Sequence, residues 1–327
     1  MNYAHGLVFG KFMPLHAGHI ALARHALAHC RRVTLLVCAQ DWEPIPGALR
    51  LRWAQEAFHE EPRLTVAYTE VPLPYTAHSS REISRIWADY FRTQFPGLDA
   101  VCTSELYGEY LAEYLGVVHI PFDPPRSLHP VSGEAVRAHP FRCWGFLPAA
   151  VRPYFVRKIC LYGPESVGKT RLAERLARHY GTVWVPEAAR TMIADSRSCT
   201  LAEVAALIPA QAALVEAALP QAERMLFCDT DHFTTQVYAE YLFGAELPLE
   251  PGWLAAHRYD RYLFLDTDVP YTQDGTRLGA HARAELRRRM LERLDAAGAA
   301  CTVIGGGWEA RFEAACEAVD ADAAPFW

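Results

Sequence analysis

Two stretches of this sequence combine glycines with lysine, imidazole or hydroxyl groups at spacings that suit phosphate binding. The first, Gly163-Pro-Glu-Ser-Val-Gly-Lys169-Thr170, fits the pattern G-x-x-x-x-G-K-[ST] at every defined position and follows an apolar run. In such a loop the backbone N–H groups bind the phosphate chain, the lysine reaches the β- and γ-phosphates, and the hydroxyl ligates Mg²⁺. The pattern predicts an ATP site formed by Gly163, Glu165, Ser166, Val167, Gly168, Lys169 and Thr170, with Thr170 as a metal ligand.

Two acidic residues end apolar runs downstream of this loop. Glu187 ends the run Val183-Trp-Val-Pro-Glu187, and Asp229 ends the run Met225-Leu-Phe-Cys-Asp229. An acidic side chain at the carboxyl end of a strand in an α/β sheet faces the ligand crevice, where it can hold Mg²⁺ or take a proton from a phosphate acceptor. Glu187 is the better candidate for proton acceptor and Asp229 for Mg²⁺ or acceptor binding, and the sequence leaves this choice open.

Three more charged residues belong to the same candidate site. Asp231 lies two residues after Asp229, where it could hold the acceptor or Mg²⁺, and Arg190 lies three residues after Glu187, where it would keep that carboxylate ionised and could touch phosphate. Arg277 ends the polar stretch Asp274-Gly-Thr-Arg277, which reads either as a mobile lid that neutralises the transferred phosphoryl group or as a solvated turn.

The second phosphate-binding stretch is Gly10-Lys11-Phe12-Met13-Pro14-Leu15-His16-Ala17-Gly18-His19. Its two histidines could bind a metal or a phosphate, and the absence of Cys, Asp or Glu beside them favours phosphate. Imidazoles that donate to a triphosphate, together with a helix N-terminus, stabilise the charge that develops as pyrophosphate leaves. We therefore expect catalytic roles for Lys11, His16 and His19, and nucleotide contacts from Gly10, Phe12 and Gly18.

Both motifs lie within alternating strands and helices, a pattern typical of parallel α/β sheets. In the first half, the pattern predicts strands at 6–9, 33–38, 64–68 and 100–103, and helices at 18–29, 49–59 and 80–95. In the second half, it predicts strands at 155–161, 183–185, 225–228, 262–265 and 301–304, and helices at 170–179, 201–223, 283–296 and 308–318. We expect an α/β protein of two domains, residues 1–154 and 155–327.

The stretch from Gly10 to His19 resembles the nucleotidyltransferase signature G-x-F-x-P-x-H-x-G-H. The second signature of that superfamily, I-S-x-x-x-x-R, is matched by Val131-Ser-Gly-Glu-Ala-Val-Arg137, with Val in place of Ile. The resemblance implies that Ser132 and Arg137 contact the phosphates of ATP. It also implies a Rossmann-like sheet for the first domain, followed by a P-loop kinase sheet.

A nucleotidyltransferase motif joined to a P-loop motif resembles the NadR-type enzymes, which are bifunctional nicotinamide-mononucleotide adenylyltransferases and nicotinamide-riboside kinases. The segments Leu49-Arg-Leu-Arg-Trp-Ala-Gln, Asp229-Thr-Asp-His-Phe-Thr-Thr-Gln236 and the joining stretch 140–155 resemble that family too. The resemblance implies that ATP and Mg²⁺ are used to phosphorylate nicotinamide riboside to its mononucleotide (NMN) and then to convert NMN to NAD. Some members carry an N-terminal helix-turn-helix domain, which this sequence does not show.

Composition is consistent with this interpretation. The net charge of −6 argues against non-specific nucleic-acid binding. Nine cysteines without a C-x-x-C pair indicate reduced thiols in a cytoplasmic protein. We expect no apolar run to approach the ~20 residues of a membrane span, and no membrane partner is predicted. The sequence leaves open whether the chain forms a homo-oligomer.

Two alternatives remain from the sequence. The architecture could carry another small-molecule adenylyltransferase, of pantetheine-phosphate or flavin type, fused to a different kinase. The chain could also be a nucleotide-sensing protein with little turnover, although the intact Lys169, Thr170, His16 and His19 argue against this.

Overall fold

Ten β-strands form two separate five-stranded sheets in the computed structural model, which describes residues 3–74, 79–195, 198–273 and 278–327. Every strand pair within these sheets is parallel. The chain divides into two compact units, Met1–Arg152 with Phe326–Trp327 and Pro153–Pro325. The predicted α/β class with two parallel sheets is therefore confirmed.

The first unit contains a sheet in the order β3-β2-β1-β4-β5. Its strands are β1 (Tyr3–Gly10), β2 (Cys30–Cys38), β3 (Leu64–Thr69), β4 (Ala100–Thr103) and β5 (Val118–Pro121). Its helices are α1 (Ala17–His29), α2 (Gly47–Ala57), α3 (Arg81–Gln94), α4 (Tyr107–Leu115) and α5 (Gly133–Ala138). The strand order reverses direction beside β1, and ligands of such sheets bind at that point, outside the carboxyl ends of the strands.

The second unit contains a sheet in the order β10-β9-β6-β8-β7. A short helix, α6 (Arg152–Phe155), precedes it. Its strands are β6 (Arg157–Tyr162), β7 (Trp184–Val185), β8 (Met225–Asp229), β9 (Arg261–Leu265) and β10 (Cys301–Ile304). Its helices are α7 (Lys169–Tyr180), α8 (Ala189–Met192), α9 (Leu201–Ala218), α10 (His232–Phe243), α11 (Pro251–Ala256), α12 (Ala282–Ala296) and α13 (Trp308–Ala323). The central strand β6 leads directly into the glycine-rich loop.

Apolar side chains on the helices cover both sheets. In α7 the buried residues are Leu172, Ala173, Leu176 and Ala177, and in α1 they are Leu22, Ala23, Ala26 and Leu27. Residues three and four apart share one face of a helix, so this spacing gives each helix one apolar face toward its sheet. The inner strands β4, β8 and β9 are almost fully buried, as parallel strands covered on both faces require, whereas the edge strands β3, β5 and β10 are partly exposed.

The structure corrects several predicted elements. Phe155 belongs to the short helix α6, and strand β6 begins two residues later, at Arg157. The proline-rich stretch predicted as a loop begins with the end of β5 and is followed by α5. Helices α4, α10 and α11 lie in segments for which no element was predicted. These helices are short or carry polar residues on most faces, so their apolar periodicity is weak.

Helix α9 also corrects the expectation about apolar runs. The stretch Leu201–Gln221 is long and apolar enough to cross a membrane by length and composition, with a mean hydropathy of 1.5. In the structure this helix packs against α8, α10 and β7 as part of the α/β layer. Its buried residues include Val204, Leu207 and Ile208.

A fully buried arginine joins the loop after β1, the end of β2 and the start of α2. Arg50 has no exposed surface. Its guanidinium donates to the carbonyls of Ile45 at 3.0 Å, Lys11 at 2.7 Å and Cys38 at 3.1 Å, and to the Glu43 carboxylate at 2.5 Å. A buried charge is tolerated when it is paired and hydrogen-bonded in this way.

We expect Arg50→Met to lower the free energy of unfolding of the first unit by about 3–5 kcal/mol, because it removes a buried ion-pair partner of Glu43 and leaves three carbonyls without this donor. Urea unfolding measures this change. Arg52→Met is the matched control, since Arg52 lies on the same helix with an exposed side chain. Equal stability of the two variants would show that the buried ion pair does not stabilise the unit.

Candidate functional sites

The loop between β1 and α1 forms the candidate site of the first unit. Phe12 is buried within it and has a φ of 46°, and its ring meets the His19 ring edge-on at 5.0 Å. Gly18 lies so close to the His16 ring that a Cβ there would be 3.2 Å from it. The loop therefore brings the two predicted histidines together immediately after Gly10, the last residue of β1.

The two histidines stack, with ring centroids 3.6 Å apart. The backbone N–H of His16 donates to Nδ1 of His19 at 3.3 Å. In a neutral imidazole this leaves the proton on Nε2, which can donate to a phosphate oxygen. Burial lowers the pKa of His16 to about 4 and that of His19 well below its ordinary value, and the charge of Arg126 acts in the same direction. Both rings are therefore neutral donors near pH 7.

Helix α5 brings the second signature to this loop, although it lies more than a hundred residues away in sequence. Arg137 donates to the carbonyl of Met13 at 2.5 Å. Ser132 caps the helix by accepting the N–H of Ala135 at 3.1 Å. A Cβ at Gly133 would lie 2.7 Å from the Met13 oxygen, so the close approach of helix and loop requires glycine there. The predicted residues Ser132 and Arg137 thus lie beside the His16 loop.

Lys11 points from the same loop to a buried carboxylate. Its ammonium lies 2.9 Å from Glu43 and 5.2 Å from the centroid of the exposed Trp42 ring. Burial opposes ionisation of Glu43, yet its hydrogen bonds and the charges of Lys11 and Arg50 lower its pKa below the ordinary value. Glu43 is therefore ionised and paired, which suits it to hold Lys11 and not to accept a proton.

The glycine-rich loop of the second unit encloses the ammonium of Lys169. That group donates to the carbonyls of Gly163 at 2.9 Å and Pro164 at 3.0 Å. Gly168 has a φ of 90°, and a Cβ there would lie 2.5 Å from the Trp308 ring. Both the backbone conformation and the close packing require glycine at this position. The loop thus carries its positive charge at the amino end of α7, where an anion is favoured.

Arg311, a residue that the sequence analysis missed, supports this loop from behind. Its side chain is 1% exposed. It donates to the carbonyls of Val167 at 3.1 Å, Gly306 at 2.8 Å and Asp266 at 2.8 Å, and it pairs with Asp268. Because the C=O and N–H of a trans peptide point in opposite directions, holding the Val167 carbonyl turns the N–H of Gly168 toward the phosphate side.

Thr170 and Asp229 meet at the mouth of the loop. The Thr170 hydroxyl donates to Oδ2 of Asp229, and Arg190 lies 2.8 Å from the same hydroxyl oxygen. Asp229 has no exposed surface, and its Oδ1 finds no hydrogen-bond partner among the described residues. A buried carboxylate oxygen without a partner is the kind of ligand that Mg²⁺ would complete.

Glu187 lies close to this pair. Its carboxylate is 3.8 Å from Arg190, as the spacing of three residues predicts. Burial raises the pKa of Glu187 above its ordinary value, although the charges of Lys169 and Arg190 act in the opposite direction. Arg190 was expected to keep Glu187 ionised, but its effect on the pKa of Glu187 is smaller than the opposite effect of burial. A raised pKa makes this carboxylate a stronger base.

Asp231 has internal partners for both oxygens. Its Oδ1 accepts the backbone N–H of Thr234 at 3.0 Å at the start of α10, and its Oδ2 accepts the hydroxyl of Tyr262 at 2.7 Å. Asp231 is fully buried. These contacts point to a role in positioning α10 beside Asp229, whereas the sequence analysis expected a ligand contact.

Glu165 and Ser166, two further predicted residues of the glycine-rich loop, make contacts within the protein. Glu165 accepts the N–H of Leu278 at 2.9 Å, and Ser166 accepts that of Thr272 at 2.7 Å. These bonds tie the glycine-rich loop to both ends of the segment that holds Arg277. Arg277 itself is not among the described residues, so its predicted role as a lid arginine stays a prediction.

A cavity of about 220 Å³ lies beside the glycine-rich loop. Its lining consists of Gly168, Arg171, Leu172, Arg175, Leu265, Trp308 and Arg311. Trp308 is about half exposed and offers a flat aromatic face next to the phosphate-binding backbone. The cavity has the size and the aromatic surface to take a nucleobase.

Residues that the sequence analysis missed include Trp42, Glu43, Arg50, Trp308 and Arg311. Arg50 lies in the segment Leu49-Arg-Leu-Arg-Trp-Ala-Gln that resembles the family, without an assigned role, and the other four lie in no recognisable motif. Among the described residues, no group of three or more His, Cys, Asp or Glu side chains could hold a metal ion. Mg²⁺ commonly uses one or two protein ligands together with substrate phosphates, so this finding is compatible with the pair of Thr170 and Asp229.

Both halves of the chain are similar to known proteins. A family profile described as an AAA domain matches residues 158–311. The trifunctional NAD biosynthesis/regulator protein NadR of Escherichia coli K12 is 28% identical over 314 residues, which cover 89% of this chain and 76% of the relative. The chain is homologous to NadR, and the predicted resemblance is confirmed.

Two crystal structures of NadR proteins share the fold. One, in complex with NR, has a TM-score of 0.81 at 23% identity and covers 98% of this chain and 96% of its own. The other, in complex with NAD and AMP-PNP, has a TM-score of 0.80 at 23% identity and covers 99% of this chain and 97% of its own. The order of the two sheets along the chain is therefore that of NadR.

The buried histidines of the first unit should remain neutral well into the acid range. In the ligand-free protein we expect the imidazole NMR resonances of His16 and His19, assigned with His16→Gln and His19→Gln variants, to show no protonation between pH 8 and pH 5. The reason is that a lowered pKa moves protonation to lower pH, and for His16 to about 4. In urea-unfolded protein the same residues should titrate near pH 6.5. Titration of either folded histidine above pH 6 would contradict the neutral-donor assignment.

Proposed function

We propose that this chain makes NAD in two consecutive ATP-dependent steps. The second unit phosphorylates nicotinamide riboside to NMN, and the first unit joins NMN to AMP from ATP, releasing pyrophosphate. The observation that carries the proposal is the presence, in one chain homologous to NadR, of two differently equipped phosphate sites. One has neutral imidazoles and no free carboxylate base, and the other has a carboxylate beside a P-loop.

The kinase step needs a base because a sugar hydroxyl is a weak nucleophile. Glu187 is placed for this role: its pKa is raised by burial, and it lies within 3.8 Å of Arg190. The proton of the 5′-hydroxyl would pass to Glu187 as the oxygen attacks the γ-phosphorus of ATP, and ADP would leave. Lys169 and Arg190 would stabilise the charge on the transferred phosphoryl group.

The hydroxyl of Thr170 and the partnerless Oδ1 of Asp229 fit a Mg²⁺ ion bound between the protein and the phosphates of ATP. When bound, Mg²⁺ supplies charge neutralisation at the β- and γ-phosphates. Glu165, Ser166, Val167 and Gly168 would surround these phosphates with backbone N–H groups, and the cavity beside Trp308 would hold the adenine.

The adenylyl transfer needs alignment and charge neutralisation, and no base. The phosphate of NMN is already anionic near pH 7 and attacks the α-phosphorus of ATP directly. Lys11, His16, His19 and Arg137 would neutralise the triphosphate as pyrophosphate leaves, while Gly10, Phe12, Gly18 and Ser132 shape the loop around it. Neutral imidazoles suit this role because each donates one hydrogen bond without having to be charged.

We infer a cytoplasmic enzyme that works on small molecules. ATP and pyridine nucleotides are intracellular, and all nine cysteines are free thiols in the structure. Nicotinamide riboside, NMN and ATP are the proposed partners, and neither nucleic acid nor membrane enters the proposed chemistry. Self-association remains open and can be settled by light scattering.

The proposal is tested by supplying nicotinamide riboside and Mg·ATP and following NMN and NAD by chromatography. We expect both products, and we expect the steps to separate by mutation. Lys169→Ala should abolish NMN formation but leave NAD formation from added NMN largely intact, and His19→Ala should do the reverse. Each variant is the control for the other. Loss of both activities in either folded variant would mean that the two steps share one site.

Replacing the two kinase carboxylates should have different effects. Glu187→Gln should lower kcat about 10²–10⁴-fold with little change in KM for the riboside, because it removes the base. Asp229→Asn should raise the Mg²⁺ concentration required and be partly rescued by excess Mg²⁺. Steady-state kinetics measure both effects.

Glu174→Gln is the control, since Glu174 is exposed on α7. It should retain normal kinetics. Near-normal kcat for Glu187→Gln would assign the base to Asp229 instead.

A further inference from the structure

A second cavity lies in the second unit, with a volume of about 160 Å³. Helices α9, α10 and α11 and the first half of β6 supply its walls. Its lining consists of Lys158, Ile208, Gln211, Ala212, Val215, Glu216, Leu219, His232, Trp253, Ala256, His257 and Tyr259. Neither the P-loop nor the proposed catalytic residues line it.

Flat rings and aliphatic side chains form most of this surface. Trp253 stacks on His257 with ring centroids 4.1 Å apart, and His232 meets the Trp253 ring edge-on at 5.3 Å. Ile208 and Val215 of α9 face the rings and are buried. A dry apolar cavity of about 150 Å³ is large enough for a benzene-sized ring. The volume of the cavity and the rings that line it therefore fit a flat ligand with a single ring.

Two polar groups in this cavity have few hydrogen-bond partners within the protein. Nε2 of His232 is buried and has no hydrogen-bond partner among the described residues, and the residue as a whole is 5% exposed. The ammonium of Lys158 has one long hydrogen bond, 3.5 Å to the carbonyl of Ala256, and lies 5.8 Å from the centroid of the Tyr259 ring. The nearby Asp260 accepts the backbone N–H of Lys158 and pairs with Arg157. An ammonium and a neutral imidazole that carries its proton on Nε2 are both donors, and two donors in an apolar cavity call for an anionic acceptor.

The charges around the cavity are consistent with one carboxylate deep inside. Glu216 pairs with His257 at 3.3 Å and is about two-thirds exposed, so it lies toward solvent. Burial lowers the pKa of Lys158, which shows that its charge is incompletely compensated. A ligand carboxylate would accept from both Lys158 and His232 and leave its ring between Trp253 and the α9 side chains.

The cavity is distinct from the phosphate site but linked to it. Lys158 is the second residue of β6, and Tyr162 lies four positions further along the strand, so Lys158 lies roughly 13 Å from the end that carries the P-loop. Gln211 lines the cavity and also binds the backbone on either side of Glu187, at Ala188 N–H (2.8 Å) and Pro186 C=O (3.2 Å). His232 directly follows Asp231 at the start of α10.

We propose that this cavity binds a small single-ring aromatic carboxylate and that its occupancy alters the kinase activity by shifting the segments that hold Glu187 and Asp229. The binding itself does not depend on the proposed function, whereas the effect on activity does.

Calorimetric titration with pyridine-3-carboxylate and benzoate tests the binding. We expect saturable binding with a dissociation constant of about 1 mM or below. The neutral amides of the same rings should bind about tenfold more weakly, because a charge-assisted hydrogen bond is stronger than a neutral one. Equal affinity of acid and amide, or no saturation, would overturn the assignment of an anionic ligand.

Two pairs of variants locate the site. Lys158→Met should weaken acid binding at least tenfold while Lys158→Arg retains most of it. Ala212→Phe should fill the cavity and abolish binding, while Ala213→Phe, on the exposed face of the same helix, should not. Circular dichroism checks the fold of each variant. Unchanged binding in folded Ala212→Phe would place the ligand elsewhere.

Kinase assays separate regulation from occupation of the acceptor site. We expect the acids to change kcat for the riboside at saturating riboside, and to have no such effect in Ala212→Phe. Purely competitive inhibition against the riboside would instead make the cavity part of the acceptor site and overturn a separate site. Binding without any kinase activity in the wild type would refute the proposed function and leave the cavity assignment intact.

Discussion

A buried guanidinium that gathers backbone carbonyls behind each phosphate-binding loop is the interaction on which both sites depend. Arg50 holds the carbonyls of Lys11, Cys38 and Ile45, and Arg311 holds those of Val167, Gly306 and Asp266. Arginine suits this task because its donors form a rigid planar fork, which can satisfy several acceptors at once. Each guanidinium also pairs with one carboxylate, Glu43 or Asp268, so that its charge is not left uncompensated.

Fixing these carbonyls on the inner side has a direct consequence for ligand binding. In the peptides of Val167 and Lys11, the N–H groups of Gly168 and Phe12 point away from the guanidinium, toward the side where phosphate groups would approach. In the proposed reactions, a backbone held in this way would present its N–H groups to an anion without having to rearrange. The side chains of Lys11 and Lys169 then add a positive charge that can move, next to backbone N–H groups whose positions are fixed.

The parts of this structure that could be predicted from sequence are those with a local signal. Both phosphate motifs, the strand that precedes each, and the pairing of Glu187 with Arg190 follow from spacing along the chain. Asp231 shows where prediction from the local sequence fails. A carboxylate at the end of a strand and a carboxylate that caps a helix have the same local sequence, and only the contacts with Thr234 and Tyr262 distinguish the two.

Residues that act through long-range contacts gave no such signal. Arg311 lies more than 140 residues from the Val167 carbonyl that it holds, and it stands in a helix whose periodicity only indicates burial. Glu43 and Trp42 follow β2 in a segment without a motif. Helix α5 was missed as an element because it has only six residues, although its Ser132 and Arg137 were found through the signature that they match.

The lysines of the two loops, which are proposed to bind phosphate, differ in what holds them. Lys169 donates to two neutral carbonyls, whereas Lys11 is paired with the ionised and buried Glu43. A triphosphate that draws Lys11 away must compete with a carboxylate, and Glu43 would then keep only its bonds to Arg50 and Gln40. Because Arg50 can neutralise Glu43 alone, the first site can release Lys11 without leaving a buried charge unpaired. The buried arginine therefore both shapes the loop and makes the lysine available to the phosphates.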